Sequence, residues 1–244
     1  MAPILRCVDI SVRFGGVTAL RNLSIDVEKG IIHGVIGPNG AGKTTLFNTI
    51  TGVVKPVSGK ILFEGRDITG MKPYEICKLG IARTHQLIRP FKNMSVLENV
   101  LVAAYFGSGK IKVSESRRRA DRAIKAVGLN GFEDRPAGSL DVLGQKKVEI
   151  ARALAAEPKL LLLDEPVAGL TQLETDDIMR LVQSIKDEGV TVVLVEHVLK
   201  AVMSFSDRIS VLNNGEKIYE GTPKEVGVAP QVVEAYLGEE YGVG

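Results

Sequence analysis

The sequence predicts an α/β protein with a mostly parallel sheet, and three observations support that prediction. Segments with strand character alternate with segments of helical periodicity, which is typical of parallel sheets. Residues 160–163 are four consecutive leucines, as expected for a central strand that is buried on both faces. The glycine-rich stretch 37–45 follows the apolar run 31–36 and precedes a helical pattern. That setting is the one a phosphate-binding loop requires.

Composition supports a globular protein and excludes some functions. The chain has 244 residues, of which 45% are hydrophobic, enough for one large α/β domain or two small ones. A formal net charge of +2 and an aromatic content of 5% indicate neither bulk attraction to nucleic acid nor a stacking platform for single strands. No apolar run approaches about 18 residues, and the first residues lack the apolar segment of a signal peptide. Any work at a membrane is therefore expected to need a partner.

The first third of the chain is predicted to be rich in strands. Phe14, Gly15, Gly16 and Val17 form a turn between the first two strands. Phe14 is either a core aromatic residue, which is the default for such a side chain, or a platform for an adenine ring. Strand patterns cover 4–12, 23–27, 31–36, 59–65 and 81–84, and helical patterns run from the glycine-rich stretch to Gly52 and over 73–79.

The middle of the chain, 88–156, is more charged and helical. It is predicted to be an α-helical subdomain inserted into an α/β core formed by 1–87 and 157–244, all within one domain. The arginines at 117–119 are interpreted as a solvated helix face. Three helices are predicted in this stretch. The first is capped by Ser95 and Glu98 and runs to Ala104, the second begins at Ser114, and the third covers 144–156.

The last third returns to strand and helix alternation. Strands are predicted over 190–195, 208–212 and 217–220, with helices over 173–186 and up to Phe205. In parallel sheets the ligand lies at the carboxyl ends of the strands. The glycine-rich stretch, the pair Asp164-Glu165 and the pair Glu196-His197 all follow predicted strands, so we expect a ligand at that edge.

The glycine-rich stretch predicts binding of a nucleoside triphosphate. Glycines allow the backbone to turn its N–H groups toward one point, and the following helix adds its unsatisfied N–H groups and the positive end of its dipole. Lys43 is expected to reach the outer phosphates, and the Thr44 hydroxyl to ligate magnesium. The alternative is a glycine-rich turn before a helix. The stretch comprises Gly37, Pro38, Asn39, Gly40, Ala41, Gly42, Lys43, Thr44 and Thr45.

Four polar residues outside this stretch are candidates for the chemistry. Asp164 is expected to hold the magnesium shell, and Glu165 to face the water that attacks the γ-phosphate; alone, such a pair would be a helix N-cap. His197 is either a hydrogen-bond partner of the γ-phosphate or a structural histidine. Gln86 is either a magnesium ligand that senses the helical insert or a surface glutamine.

These residues, in this order, resemble the nucleotide-binding subunit of ABC transporters over nearly the whole chain. The resemblance identifies 37–45 as the Walker A loop, 160–165 as Walker B with its catalytic glutamate, Gln86 as the Q-loop, His197 as the switch histidine and Phe14 as the adenine-stacking position. Within that superfamily the chain is most similar to the branched-chain amino acid importer ATPases. The stretches that carry this are 13–16, 80–86, 148–154, 164–169 and 235–239.

The resemblance implies a P-loop NTPase core with an N-terminal antiparallel β subdomain and an inserted α-helical subdomain. It implies that two subunits, identical or different, hydrolyse ATP with Mg²⁺ and close head to tail. Gly144 and Gln145 of each subunit would then face the nucleotide of the other subunit. It further implies transmembrane permease subunits, an indirect solute-binding protein and a peripheral position at the cytoplasmic face of the membrane. Nucleic acid is not expected as a partner, and the sequence does not name the solute.

The signature loop departs from the family pattern, Leu-Ser-Gly-Gly-Gln. Aligned on Gly144 and Gln145, Val142 replaces the serine whose hydroxyl reaches the partner's γ-phosphate, and Leu143 replaces the first glycine. Ser139 could serve only if the loop slips. We expect ATP to bind but closed-dimer affinity and turnover to fall, since one lost hydrogen bond to a charged acceptor costs about 1.5–3 kcal/mol per site. The alternative is that the backbone groups of Gly144 and Gln145 suffice.

A second departure lies in the D-loop, where Thr171 replaces the usual aspartate. Three other functions remain open: an exporter ATPase, such as one that moves lipids; a soluble ABC ATPase that acts on DNA or ribosomes; and a nucleotide-binding regulator with little turnover. The soluble ATPase would need long coiled-coil inserts or a second ATPase domain. The altered signature loop keeps the regulator open as an alternative.

Overall fold

The computed structural model describes residues 3–84, 90–107 and 112–240, with only the backbone for 237–240. The chain is an α/β protein that separates into two compact units, one formed by Met1–Pro73 and Thr191–Gly244 and the other by Tyr74–Val190. The strands are β1 (Leu5–Phe14), β2 (Val17–Val27), β3 (Ile32–Ile36), β4 (Ser58–Phe63), β5 (Arg66–Asp67), β6 (Ile81–Arg83), β7 (Leu160–Asp164), β8 (Thr191–Val195), β9 (Arg208–Asn213) and β10 (Glu216–Gly221). The helices are α1 (Lys43–Ile50), α2 (Pro73–Leu79), α3 (Val96–Gly107), α4 (Val113–Ala126), α5 (Val142–Ala155), α6 (Gln172–Asp187), α7 (Leu199–Phe205), α8 (Pro223–Val228) and α9 (Pro230–Glu240).

The first unit contains the predicted antiparallel sheet. β1 pairs antiparallel with β2 and β4, and β4 pairs antiparallel with β5. Apolar side chains of β1, including Leu5, Cys7 and Ile10, are buried. Burial also raises the pKa of the Cys7 thiol to about 12, so this cysteine is an inert apolar core residue.

The first unit also contains parallel strands that position the glycine-rich loop. β3 pairs in parallel with β8 and β9, and β9 pairs antiparallel with β10. Every residue of β3 and β8 is buried, which agrees with their mostly apolar sequences. Val35 lies opposite Val195. The loop after Ile36 and the pair Glu196-His197 therefore leave the sheet at the same edge.

The second unit combines a parallel strand pair with a group of helices. β6 pairs in parallel with β7, all of whose residues are buried. α3 packs against α4 and α5, and their assignment to an inserted subdomain stays a prediction. The capping box of α3 is confirmed, because the Ser95 N–H donates to Glu98 Oε2 at 2.7 Å and the Glu98 N–H donates to Ser95 Oγ at 3.1 Å.

Two local predictions in this unit are wrong. α4 begins at Val113 after an extended Lys112, so Ser114 lies inside the first turn and does not cap it. The prediction of a solvated face holds for Arg117 and Arg118 but fails for Arg119. The Arg119 side chain is only 14% exposed and pairs with Glu115 and Glu157. The domain boundaries at residues 87 and 157 stay a prediction.

Among the helices within 3–84, 90–107 and 112–240, none is both long enough and apolar enough to cross a bilayer.

Candidate nucleotide-binding site

The glycine-rich loop is shaped by close packing against neighbouring backbone. Gly42 has a φ of 99° at the N-cap of α1, a left-handed conformation that favours glycine. A Cβ at Gly42 would lie 2.8 Å from the Ala19 carbonyl oxygen of β2, and one at Gly37 would lie 2.1 Å from the Leu212 carbonyl oxygen of β9. Both positions therefore exclude any side chain, and the loop is held against two strands.

Lys43 turns back over this loop. Its ammonium donates to the carbonyl oxygens of Gly37 at 2.5 Å and Pro38 at 2.9 Å, and the side chain is buried. These bonds hold the cationic charge against the loop backbone, the position from which a lysine can meet phosphate oxygens.

The first turn of α1 carries the polar groups that face outward. Gly42 at the N-cap has no side chain, so it makes no side-chain cap to the first turn of the helix. Thr44 is exposed and Thr45 is half-buried. Helix N-termini attract anions through these N–H groups and the helix dipole. Asn39 and Gly40 are exposed at the tip of the loop, whereas Ala41 is buried.

Phe14 lies at the end of β1 and is 51% exposed. The core-aromatic interpretation is therefore wrong, and the ring face is available to a ligand. His197 is also exposed, directly after β8. His33 of β3 differs, because burial lowers its pKa to about 4 and its Nε2 lies 2.9 Å from Ser210 Oγ. Of these two histidines, only His197 can reach a ligand.

Asp164 ends β7 with its carboxylate almost fully buried. Oδ2 accepts a hydrogen bond from Arg83 Nη2 at 2.7 Å, and the two side chains are only 1% and 7% exposed. The backbone N–H of Asp164 donates to Thr84 Oγ1 at 3.3 Å. Oδ1 is buried and has no hydrogen-bond partner among the described residues. A buried carboxylate oxygen of this kind calls for a cation or a water, so Asp164 fits a magnesium ligand.

Glu165 follows in a backbone conformation that is rare outside glycine, with a φ of 50°. Its carbonyl oxygen accepts hydrogen bonds from Lys146 Nζ at 3.1 Å and from the Ala168 N–H at 3.3 Å. The N-cap of α6 is Thr171, which makes a capping box with Glu174. The N-cap interpretation of the acidic pair is therefore wrong.

The signature loop is organised around Asp141. α5 begins at Val142, two residues earlier than predicted, and Asp141 is its N-cap. The Asp141 carboxylate accepts a hydrogen bond from the Gly144 N–H at 2.7 Å, and its backbone oxygen accepts one from the Gln145 N–H at 2.9 Å. Both backbone donors that the sequence offered to a phosphate therefore already have partners. Ser139 Oγ donates to the Pro136 carbonyl at 2.7 Å.

Sequence reasoning did not find all the residues of these sites. No periodicity or motif in the sequence distinguishes Lys146 from Lys147. Arg83 stood within a stretch that carried the family resemblance, yet its pairing with Asp164 spans 81 residues. Asp141 was visible as an N-cap type of residue just before the helical pattern. Gln86 lies outside the described residues.

A phosphate loop between β3 and α1, together with acidic residues at the end of a parallel strand, defines the class of P-loop nucleoside triphosphatases. The family model described as "ABC transporter" matches residues 20–168. The chain belongs to the ABC transporter family, and it is an ATPase subunit of that family.

Relatives cover almost the whole chain. It is 41% identical to the high-affinity branched-chain amino acid transport ATP-binding protein BraF of Pseudomonas aeruginosa, with 97% of this chain and 98% of BraF covered. It is 38% identical to LivG of Escherichia coli at the same coverage. Like BraF, LivG is a high-affinity branched-chain amino acid transport ATP-binding protein.

Solved structures have the same fold. The ADP conformation of MJ1267, an ATP-binding cassette of an ABC transporter, matches with a TM-score of 0.91 and 38% identity, covering 98% of this chain and 100% of MJ1267. The dimeric cassette MJ0796 bound to ADP and Pi matches with a TM-score of 0.79 and 27% identity, covering 90% of this chain and 98% of MJ0796. ABC cassettes work as dimers with transmembrane permease components.

Proposed function

We propose that this chain powers an ABC importer of branched-chain or other hydrophobic amino acids. The observation that carries the proposal is the likeness to BraF and LivG along 97% of the chain. A likeness of that extent includes the phosphate loop, the helical subdomain and the C-terminal helices. In this proposal the subunit works at the cytoplasmic face of the membrane and contacts a solute-binding protein only indirectly.

ATP binding is assigned to the first unit. The loop from Gly37 to Thr45 would cradle the phosphates with its N–H groups, and Lys43 would exchange its bonds to loop carbonyls for bonds to phosphate oxygens. Phe14 would stack on the adenine, which fits its exposed ring.

Mg²⁺ is assigned to Thr44, Asp164 and Gln86 as protein ligands. When bound, the ion neutralises charge on the phosphate oxygens. The buried Asp164 Oδ1 without a partner among the described residues supports its place in this set, and the exposed Thr44 fits the role of a ligand shared with phosphate.

Hydrolysis is assigned to Glu165, His197 and Gln86. Glu165 would orient and deprotonate the attacking water, and His197 would hydrogen-bond the γ-phosphate. The left-handed backbone of Glu165 supports a functional role, because strain of this kind concentrates at active sites. Gln86 would report the state of the nucleotide to the permease subunits.

Two ATPase subunits would close head to tail, with Gly144 and Gln145 of each facing the partner's nucleotide. The Asp141 cap would weaken the closed dimer. Its carboxylate lies 2.7 Å from the Gly144 N–H and would have to move before that N–H could donate to a phosphate. This observation favours a second candidate function, a nucleotide-binding regulator with little turnover.

The experiment that tests the transport function is purification of the chain from membranes with its partners, followed by reconstitution into proteoliposomes. We expect permease subunits to co-purify and ATP-driven uptake of leucine, isoleucine or valine but not of lysine. Export of lipid would replace this proposal with the exporter function.

The Glu165→Gln variant separates an ATPase from a regulator. We expect slow but measurable ATP hydrolysis in the unmodified complex and its loss in the variant, with ATP binding retained. If hydrolysis in the unmodified complex does not exceed the background rate measured without protein, the regulator function is correct.

A further inference from the structure

Lys146 is a buried cation that the proposed chemistry does not use. It lies on α5 one residue after Gln145, and only 6% of its surface is exposed. A lysine is rarely buried without a partner that compensates for the lost hydration of its charge. The buried ammonium of Lys146 is therefore expected to have specific hydrogen-bond partners.

One partner of this ammonium is the backbone of Glu165. Lys146 Nζ lies 3.1 Å from the Glu165 carbonyl oxygen, and that oxygen also accepts the Ala168 N–H at 3.3 Å. The turn from Glu165 to Ala168 is thus closed by one backbone bond and fixed from outside by one charge-assisted bond. Charge-assisted hydrogen bonds are about twice as strong as neutral ones.

The Glu165 backbone needs such support. Its φ of 50° is unfavourable for a residue with a Cβ, and the direction of the glutamate side chain follows from that backbone conformation. Lys146 and Glu165 line a small depression with Thr84, Glu149, Ile150, Asp164 and Pro166, so the contact lies within the second unit. A relaxed backbone would redirect the carboxylate without unfolding the unit.

We propose that Lys146 is a positioning residue that holds Glu165 in its hydrolytic orientation and links it to the helix that carries Gly144 and Gln145. This inference rests on the proposed role of Glu165. It predicts that Lys146 acts on the rate of hydrolysis and not on nucleotide binding, since its bond to Glu165 is to the glutamate backbone.

The test compares Lys146→Met, which keeps the aliphatic stem, with Lys146→Arg, which keeps a cationic donor, in the purified chain. We expect kcat for ATP hydrolysis to fall about tenfold in Lys146→Met, the change that corresponds to about 1.4 kcal/mol, with KM and the ATP dissociation constant within twofold. Lys146→Arg should restore most of kcat. Lys147→Met, a change at the half-buried neighbour on the same helix, should leave all these values unchanged.

Amide hydrogen exchange provides a readout that does not depend on turnover. The segment 165–170 should exchange faster in Lys146→Met than in the unmodified chain, while α6 remains protected. Should Lys146→Met fail to fold, Lys146→Gln is judged by the same criteria.

The outcomes separate this inference from the role of Glu165 itself. Unchanged kcat and exchange in Lys146→Met, in a chain that Glu165→Gln inactivates, would overturn the positioning role alone. If kcat, ATP affinity and melting temperature all fall in Lys146→Met, and Lys146→Arg restores none of them, Lys146 has a merely structural role. That result would also overturn the positioning role. Unchanged hydrolysis in Glu165→Gln would remove the proposed function of Glu165.

Discussion

The N-termini of α1 and α5 are organised in opposite ways. α1 begins after Gly42, which has no side chain and therefore places no side-chain cap on the first turn. α5 begins after Asp141, whose own carboxylate accepts the Gly144 N–H. Because helix N-termini attract negative charge, the N-terminus of α1 is suited to bind phosphate, whereas that of α5 already holds an anion. A helix N-terminus is therefore suited to phosphate only when its cap leaves the donors open.

The largest expected effect lies at α1. Lys43→Ala removes the ammonium that bonds to Gly37 and Pro38 and that is assigned to the outer phosphates. We expect ATP to bind at least 100-fold more weakly, about 2.7 kcal/mol, as measured by calorimetric titration. Lys29→Ala, at an exposed position of the same unit, should not alter binding. Affinity within threefold of the unmodified chain would show that the backbone alone holds the phosphates.

A smaller effect is expected from giving α5 the hydroxyl that the family pattern contains. Val142 is 49% exposed, so serine fits without a cavity. In the Glu165→Gln background, Val142→Ser should tighten ATP-dependent dimerisation by about 1.5–3 kcal/mol per site, measured by sedimentation. Val142→Ala is the matched control, because it removes the same apolar group without adding a hydroxyl. Equal dimerisation in the two variants would contradict the prediction.

Removing the charge of the α5 cap should have an effect of about 1 kcal/mol. Asp141→Asn keeps a side-chain oxygen for the Gly144 N–H and is an equally good N-cap, so the melting temperature should not change. The loss of one negative charge beside an incoming phosphate should tighten dimerisation about fivefold at low salt and less at high salt. Asp134→Asn, an exposed change of the same charge, should have no effect on dimerisation. A loss of affinity in Asp141→Asn would mean that the carboxylate assists closure.

The smallest effect is expected at Ser139. Its hydroxyl donates to the Pro136 carbonyl at 2.7 Å and is exposed, so Ser139→Ala should change stability and dimerisation by less than about 0.5 kcal/mol. Thermal melting and sedimentation with ATP check this. A loss of dimerisation comparable to the gain from Val142→Ser would indicate that the loop slips and that Ser139 replaces the missing serine.

Much of the fold could be predicted because local patterns determine it. The uninterrupted leucines of β7 and the capping box of α3 required no knowledge of distant residues, and both are confirmed. The start of α5 was predicted two residues late, because periodicity of apolar residues does not register a capping carboxylate. The local pattern left the exposure of Phe14 open, since an aromatic residue beside a strand has the same pattern whether it faces the core or solvent.

The sequence by itself determined the phosphate loop, because the glycines, Lys43 and Thr44 act through neighbouring backbone and through a helix that begins at the same place. It also determined which strand ends carry acidic residues. Only the tertiary structure decided how those acids are held: Arg83 reaches Asp164 across 81 residues and Lys146 reaches Glu165 across 19. Contacts at such separations depend on how strands and helices pack, and no local pattern of residue types encodes them.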